Sequence, residues 1–482
     1  GWMESIGPAT TGELATRLRL SIEHVDHAML RLEASGQVLR GRFREALGVR
    51  REENRSSPHP SPLTSYEFCH RRLLARIHRL TIGILRKEVE PVTASDFMRF
   101  LMQWQHVASG SRQHGEAGLL KVIEQLAGFE AAASAWEPQL LRLRTAKYEP
   151  ELLDRLCLSG AVSWGRLSPH PRFAQGAEPE RRRIIPTSIA PISLFPREDS
   201  DWLLNTCYDG APDRQLSDTP LSTTAQHLHR ALQDHGASFF GDLVRMTNHL
   251  PAEVENGLWE LVAAGLVTAD GFDNLRALMD PHRRRAEGRE RARRPRHSAG
   301  RWSLLRQESR SLVTGQWSSG PDQAISYQPP AIGSSTSTQH CERTARQLLR
   351  RYGVVFRDLL ARESLVQAWR DLLVQYRRME MAGEIRGGRF VNGFTGEQFA
   401  LPEAVESLRA MRKKNGFTGS EQEIRLSATD PLNLAGVILP GPRVPAVPTN
   451  VLVFKNGVLS RTVIGRQGDA ARSLVEQVGA PG

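Results

Sequence analysis

The side chains able to do chemistry in this chain are mostly cations. Its 482 residues hold 58 arginines and six lysines (Lys87, Lys121, Lys147, Lys413, Lys414 and Lys455) against 53 acidic residues. The net charge is +11 and the pI near 10.0. A guanidinium fork binds phosphate through paired hydrogen bonds, so an arginine-weighted balance suits a polyanionic partner such as nucleic acid; a GC-rich gene produces the same bias. The lysines exclude one function class. A Walker A loop needs Gly-Lys-Ser/Thr, and none of the six follows a glycine, so the sequence has no P-loop nucleotide site. Cys69, Cys157, Cys207 and Cys341 form no CxxC pair, and the fifteen histidines include no HExxH. His24 and His27 lie three apart without a third ligand nearby, so no metal is expected. The sparse cysteines are compatible with a reducing cytoplasm. No apolar run reaches the ~18 residues of a membrane span. The start, Gly1-Trp2-Met3-Glu4, carries no leader pattern. Opening on Gly rather than Met, the sequence reads as part of a longer chain or one trimmed of a tag.

Arginines serve a phosphate only where an element presents them, and one such element repeats. Thr11–Phe43 (TGELATRLRLSIEHVDHAMLRLEASGQVLRGRF) and Gly241–Phe272 superpose without gaps. Leu14, Val25, Leu32, Gly36 and Val38 fall on Leu243, Val254, Leu261, Gly265 and Val267. A third copy ends at Met379–Phe390 (MEMAGEIRGGRF) and a fourth at Leu156–Leu167 (LCLSGAVSWGRL). Each predicts a short helix, a turn opening on a breaker such as Ser21 or Pro251, and a longer amphipathic helix. That helix is spaced by Val25, Met29 and Leu32, or Val254, Leu258 and Leu261. Gly36, Gly160, Gly265 and Gly383 then end it, and a β segment follows. Helix, recognition helix, glycine stop and basic strand is the winged-helix pattern; generic helical hairpins would not share the Gly-x-Val/Ile step.

The expected fold class is mainly α with small β wings: tandem winged-helix domains plus a C-terminal β-barrel-like unit. The expected division is a winged helix over 1–60, a helical segment and winged helix over 66–167, and a linker region over 168–220. A winged helix over 221–280, a basic and Ser/Gly/Pro-rich linker over 281–336 and a winged helix over 337–404 follow. The β-barrel-like unit and a terminal helix take 405–482. The linkers rest on Glu52–Pro62, Ser168–Pro186 and Gly315–Thr338. Arg283–Arg296 holds eight arginines in fourteen positions and reads as a solvated stretch or a phosphate-tracking tail. Further helices are expected at Cys69–Leu80 and at Asp96–Val107, the latter capped by Thr93 or Ser95. Val437–Leu439 and Val451–Phe454 read as strands within a β unit over Leu426–Ile464. Asn456-Gly457 reads as its hairpin turn, and Asp469–Val478 as a short helix.

Seven stretches resemble the C-terminal region of the Lhr (large helicase-related) helicases. They are Cys69–Thr81, Asp96–Val107, Leu153–Pro169, Gly300–Leu305, Leu348–Glu363, Gly383–Ala404 and Asp430–Ala446. The resemblance implies an ATP-dependent 3'-5' DNA translocase core upstream, holding the ATP and Mg that this chain has no site for. It implies tandem winged helices with a β-barrel, homo-oligomers (tetramers in particular), a DNA-repair context and a location at the bacterial nucleoid in the cytoplasm. The expected partners are DNA, single-stranded or as repair intermediates, and the protein's own helicase core, with no membrane.

The region is also similar to the AlkZ/YcaQ winged-helix DNA glycosylases, whose Gln-Φ-Gln signature positions water against the sugar–base bond. Two windows fit in part. Gln125-Leu126-Ala127 has alanine at the second polar position. Gln103-Trp104-Gln105 has both glutamines, on a helix where i and i+2 face different directions. Glu124, Glu130 or Asp469 could supply a carboxylate, with capping or surface roles as the alternative. Trp104, Trp136, Trp164, Trp259 and Trp369 are expected in cores, with base stacking as the alternative. The favoured reading is a DNA-binding and assembly region whose Arg17, Arg19, Arg31, Arg40, Arg42, Arg245, Arg386 and Arg389 contact phosphates. The alternatives are a glycosylase centred on Gln125 and a protein scaffold.

Overall fold

The glycine stops of the repeat organise the fold. In the computed structural model Gly36, Gly160, Gly265 and Gly383 take φ angles of +69°, +79°, +74° and +79°. That left-handed conformation lets a chain leave a helix without a Cβ clash. The structure describes residues 2–43, 66–87, 89–168, 190–206, 221–279, 300–305, 333–364, 367–414 and 423–465. They form two units, Gly1–Glu90 and Pro91–Gly482.

The smaller unit runs β1 (Ala9–Thr10), α1 (Thr11–Leu18), α2 (Ile22–Ala34), β2 (Val38–Gly41), β3 (Glu67–His70) and α3 (Arg71–Lys87). Thr10 starts α1 with a capping box: its hydroxyl accepts from the Glu13 amide at 3.2 Å while the Glu13 carboxylate accepts from the Thr10 amide at 2.9 Å. Ser21 caps α2. Leu14, Val25, Met29, Val38 and Phe68 close a small core beneath the two helices.

The larger unit opens with α4 (Ala94–Trp104), capped by Thr93 rather than Ser95, then β4 (Gln113–His114) and α5 (Gly115–Leu126). After β5 (Ala131–Ala132), a π-helical turn at Trp136–Leu141 and β6 (Thr145–Ala146) come α6 (Pro150–Leu158), β7 (Val162–Gly165), β8 (Pro191–Pro196) and α7 (Ser200–Thr206). The next winged helix comprises α8 (Thr223–His235), β9 (Ser238–Phe239), α9 (Phe240–Thr247), α10 (Pro251–Ala264), β10 (Val267–Ala269), α11 (Phe272–Met279) and β11 (Arg301–Leu304). The last is α12 (Gly333–Tyr352), β12 (Val354–Val355), a 3-10 segment Arg357–Arg362, α13 (Trp369–Met381), β13 (Arg386–Gly388) and β14 (Gln398–Ala400). Then follow α14 (Pro402–Lys414), β15 (Glu423–Ser427), β16 (Asn450–Lys455) and β17 (Val458–Ile464).

Four of the sheets share one order, with the last strand in the middle: β1-β3-β2, β5-β8-β7, β9-β11-β10 and β12-β14-β13, all antiparallel. This common order corrects the expected division. The central strands Glu67–His70, Pro191–Pro196 and Arg301–Leu304 lie beyond the windows 1–60, 66–167 and 221–280. Each of these strands therefore belongs to the winged helix that precedes the expected linker; Glu52–Pro62, Arg283–Arg296 and all of Ser168–Pro186 but Ser168 lie outside the described residues. A strand that pairs only with distant chain carries little local signal, which is also why Cys69 and His70 belong to β3 and the helix starts at Arg71.

The C-terminal β unit is an antiparallel meander in the order β15-β16-β17, and the described residues contain no closed barrel. Val451–Phe454 is a strand as expected, whereas Val437 and Ile438 form a turn and Leu439 makes only an isolated bridge to Ala435. The Asn456-Gly457 hairpin is present, with φ +51° and +78°, and a Cβ on Gly457 would collide with the Ser95 carbonyl at the start of α4. The expected helix at Asp469–Val478 lies outside the described residues. One hydrophobic core runs through the winged helices of 115–196 and 223–304, holding Trp136, Trp164, Trp259 and Trp302. Trp164 meets Trp302 edge-on at 6.1 Å.

Candidate nucleic-acid interface

In a winged helix the second helix of the helix-turn-helix and the wing strand present side chains to a groove. The four copies differ in what they place there. In the N-terminal copy, α2 buries only Val25 and Met29. Arg17, Arg19 and Arg31 are exposed around the turn and helix, and Arg40 and Arg42 are exposed on and just after the wing strand. Arg40 pairs with Glu33 at 3.3 Å, and the Arg40 and Arg42 guanidiniums lie 5.7 and 6.0 Å from the Tyr66 ring centroid.

The 333–400 copy is similar. Its α13 buries Leu372, Gln375, Tyr376, Met379 and Glu380 and exposes Arg370, Arg377 and Arg378. These three follow an i, i+7, i+8 spacing and so share one face. Arg370 is 92% exposed, while Arg377 is held at 2.7 Å by Glu397. Arg386 and Arg389 are exposed at and after the wing strand. Sequence reasoning chose the wing pair and passed over the three helix arginines, although the repeat register before Gly383 already placed them on the recognition helix.

The other two copies present fewer cations there: α6 exposes Arg155 alone and α10 none. The α6 helix buries Leu152, Leu153, Leu156 and Cys157, and its Arg155 pairs with Glu116 at 3.0 Å. Burial raises the Asp154 carboxyl above its ordinary range, and Arg276 of α11 opposes that shift from 2.8 Å. Arg276 also binds Glu137 at 2.6 Å, stitching the two middle copies together. The α10 helix carries Glu253, Glu255 and Glu260 but no lysine or arginine, and buries Gly257, Leu258, Trp259, Leu261 and Val262. Arg166 donates to its Ala263 carbonyl at 3.0 Å. Arg245 lies on α9 and pairs with Asp242, outside any recognition helix.

The glutamines occupy a different place. Gln103 is exposed and Gln105 fully buried, as opposite-facing i and i+2 positions require. Gln105 donates to the Arg351 carbonyl at 3.0 Å and accepts from Arg144 at 3.1 Å. Gln125 is buried; its amide donates to the Trp104 carbonyl at 2.9 Å and reaches that of Arg350 at 3.4 Å. Gln347 donates to the carbonyls of Glu124 and Gln125 at 2.9 and 3.0 Å. The C-terminal ends of α4, α5 and α12 thus meet, and side-chain amides take up carbonyls that lack helical partners. Beneath this junction Arg144 makes a fork with Asp430, at 2.7 and 2.9 Å, with both side chains fully buried. Arg351 pairs with Glu363, and Arg362 donates to the carbonyls of Ala428, Thr429 and Asp430. Glu130 accepts from the amides of Leu167 and Ser168 at 2.7 and 3.0 Å. The structure therefore brings Gln105 and Gln125 to one helix junction, leaves Gln103 and Glu130 apart from it, and does not describe Asp469. Gln105 and Asp430 emerge as partners only through Arg144, from three distant stretches of chain, and no sequence signal links them.

Trp136, Trp164 and Trp259 are core residues, and Trp104 donates to the Arg350 carbonyl at 3.0 Å. Among the described residues no group of three or more His, Cys, Asp or Glu could hold a metal ion, and no helix is long and apolar enough to cross a membrane.

Family models described as the winged-helix domain of large helicase-related protein match residues 92–182 and 334–418, as the third and fourth such domains. An Lhr helicase/probable uracil glycosylase of Mycolicibacterium smegmatis is 30% identical over 446 residues, covering 90% of this chain and 26% of that protein. An Lhr helicase/uracil glycosylase of Escherichia coli is 28% identical over 408 residues, covering 78% of this chain and 24% of that protein. The chain spans about a quarter of the length of these curated relatives. With both matched segments folding as winged helices, the chain carries winged-helix domains of the large helicase-related (Lhr) family.

Proposed function

We propose that this chain is the nucleic-acid-gripping and assembly region of an ATP-driven Lhr-type DNA helicase acting in repair. The observation that carries the reading is the division of the recognition helices. Counting turn, helix and wing together, the N-terminal copy exposes Arg17, Arg19, Arg31, Arg40 and Arg42 and the 333–400 copy exposes Arg370, Arg377, Arg378, Arg386 and Arg389, whereas α6 exposes one arginine, Arg155, held by Glu116, and α10 has none. Exposed guanidiniums on helix and wing grip phosphates irrespective of sequence, and the buried copies hold the platform rigid. In the longer protein the ATP and Mg sites belong to a motor outside these 482 residues. A homo-oligomer, tetramer favoured, is proposed from the Lhr resemblance alone, and light scattering on the full-length protein checks it.

The test is DNA binding against salt concentration. Replacing Arg370 and Arg378 with alanine lowers affinity for duplex and single strands alike and reduces the log K against log salt slope by about one per lost contact. An unchanged slope in these variants and in Arg31→Ala removes the proposal.

Base excision is a second reading, supported by the uracil glycosylase names of both relatives. Its test is the appearance of alkali-sensitive breaks in uracil-containing DNA, with Gln125→Ala and Asp469→Ala beside the wild type. Gln125→Ala also removes a helix-junction bond, so its unfolding midpoint is measured in parallel.

A further inference from the structure

The turn between α1 and α2 is built unlike its counterpart between α9 and α10. It reads Arg17-Leu18-Arg19-Leu20-Ser21-Ile22, and the repeat register sets these against Met246, Thr247, Asn248, His249, Leu250 and Pro251. Both turns need one residue in the left-handed region. Asn248 takes it at φ +53°, as asparagine does readily; Arg19 takes it at φ +54°, a conformation that a long side chain adopts at a cost. Arginine thus stands where glycine or asparagine would be easier. Around it Leu18, Leu20 and Ile22 are 46%, 55% and 53% exposed. Three aliphatic side chains exposed to water thus alternate along the turn with exposed Arg17 and Arg19, and exposed Glu23 follows Ile22. The nearby carboxylates Glu23 and Asp26 lie in the first turns of α2.

We propose that this turn is a wedge for unstacked bases at a junction between duplex and single-stranded nucleic acid. Leu18, Leu20 and Ile22 would sit against an exposed base step, and Arg17 and Arg19 would hold the flanking phosphates. Aliphatic wedges inserted between base steps lose water in doing so, and the arginine rim selects a polyanion over a neutral protein face. The placement of Arg17 and Arg19 on the turn itself, alternating with Leu18 and Leu20, is what commits the patch to nucleic acid. This deepens the nucleic-acid reading above and rests on it, since a chain that did not bind DNA would have no use for the wedge.

The experiment places 2-aminopurine at the fork of a DNA duplex and, separately, inside a blunt duplex. Binding of the wild type raises fluorescence at the fork and much less in the blunt duplex. Leu20→Ser with Ile22→Ser abolishes the rise, weakens fork binding several-fold and leaves the salt slope and unfolding midpoint unchanged. Arg19→Gly lowers the salt slope by about one and keeps or raises the unfolding midpoint, because it relieves the left-handed arginine. An undiminished rise in the double serine variant overturns the wedge while DNA binding itself stands. So does a change of oligomer mass in that variant with the fork signal intact, which would make the patch an interface between copies. Absence of any DNA binding at low salt overturns both readings.

Discussion

Helices α2 and α10 are copies of one another in register, and they have opposite fates. Leu30 of α2 is 51% exposed; its counterpart Trp259 of α10 is 1% exposed. Exposed Ala28 faces the register of Gly257, where a Cβ would approach Leu228 Cδ1 at 2.6 Å. Exposed Arg31 corresponds to Glu260, which accepts from the Ser222 amide and hydroxyl at 2.9 and 2.6 Å and so helps start α8. The framework positions Val25 and Met29 are buried in both, as Val254 and Leu258. What a winged helix needs in order to fold is therefore kept, and what it offers outward is what changes. In α2 the outer face exposes Ile22, Ala28, Leu30 and Arg31 beside Glu23. In α10 that face has been filled with tryptophan, glycine and carboxylate and packed against neighbouring helices.

The largest separation between the copies is expected at the 30/259 pair. Trp259→Ala should destabilise by about 3–5 kcal/mol through cavity formation, whereas Leu30→Ala stays within about 0.5 kcal/mol as an exposed change. Urea unfolding of both variants measures this, and equal effects would break the comparison. A similar loss is expected inside the platform. Asp430→Ala leaves Arg144 buried and unpaired, a change that costs about 3–5 kcal/mol, while Arg378→Ala lowers DNA affinity with no shift in midpoint.

Next comes the 28/257 pair. Gly257→Ala forces Leu228 aside and should cost about 1–3 kcal/mol; Ala28→Gly costs about 0.5–1 kcal/mol from helix entropy alone. Smaller still, Glu260→Ala removes two hydrogen bonds and should cost about 1 kcal/mol, with Arg31→Ala neutral in stability. The least intrusive test is thiol labelling. Burial in α6 pushes the Cys157 thiol up to about 12, so it should resist alkylation at pH 8 in the native state. A cysteine introduced as Leu30→Cys should label at once.

Much of the scaffold is legible in the sequence itself. The gap-free repeat set the helix pairs, Ser21 and Thr93 announced helix starts, and the four glycines marked helix ends, because capping and left-handed turns are local chemistry written in adjacent residues. Asn456-Gly457 is legible for the same reason. The central strands of three sheets were not. Glu67–His70, Pro191–Pro196 and Arg301–Leu304 are short, and each pairs across a long insertion, so nothing beside them in the chain reveals their partners.

The candidate site divides the same way. Sequence alone determined an arginine-rich chain of repeated helix-turn-helix units without a Walker lysine, since residue identity and spacing suffice for both statements. Tertiary structure decided which units keep an outward face, because exposure depends on what packs against a helix and not on its own letters. It also placed Gln105 and Gln125 at a helix junction through carbonyls supplied from residues 350 and 351, more than two hundred positions away. A glutamine's sequence neighbours give no sign of which distant carbonyl its amide will find.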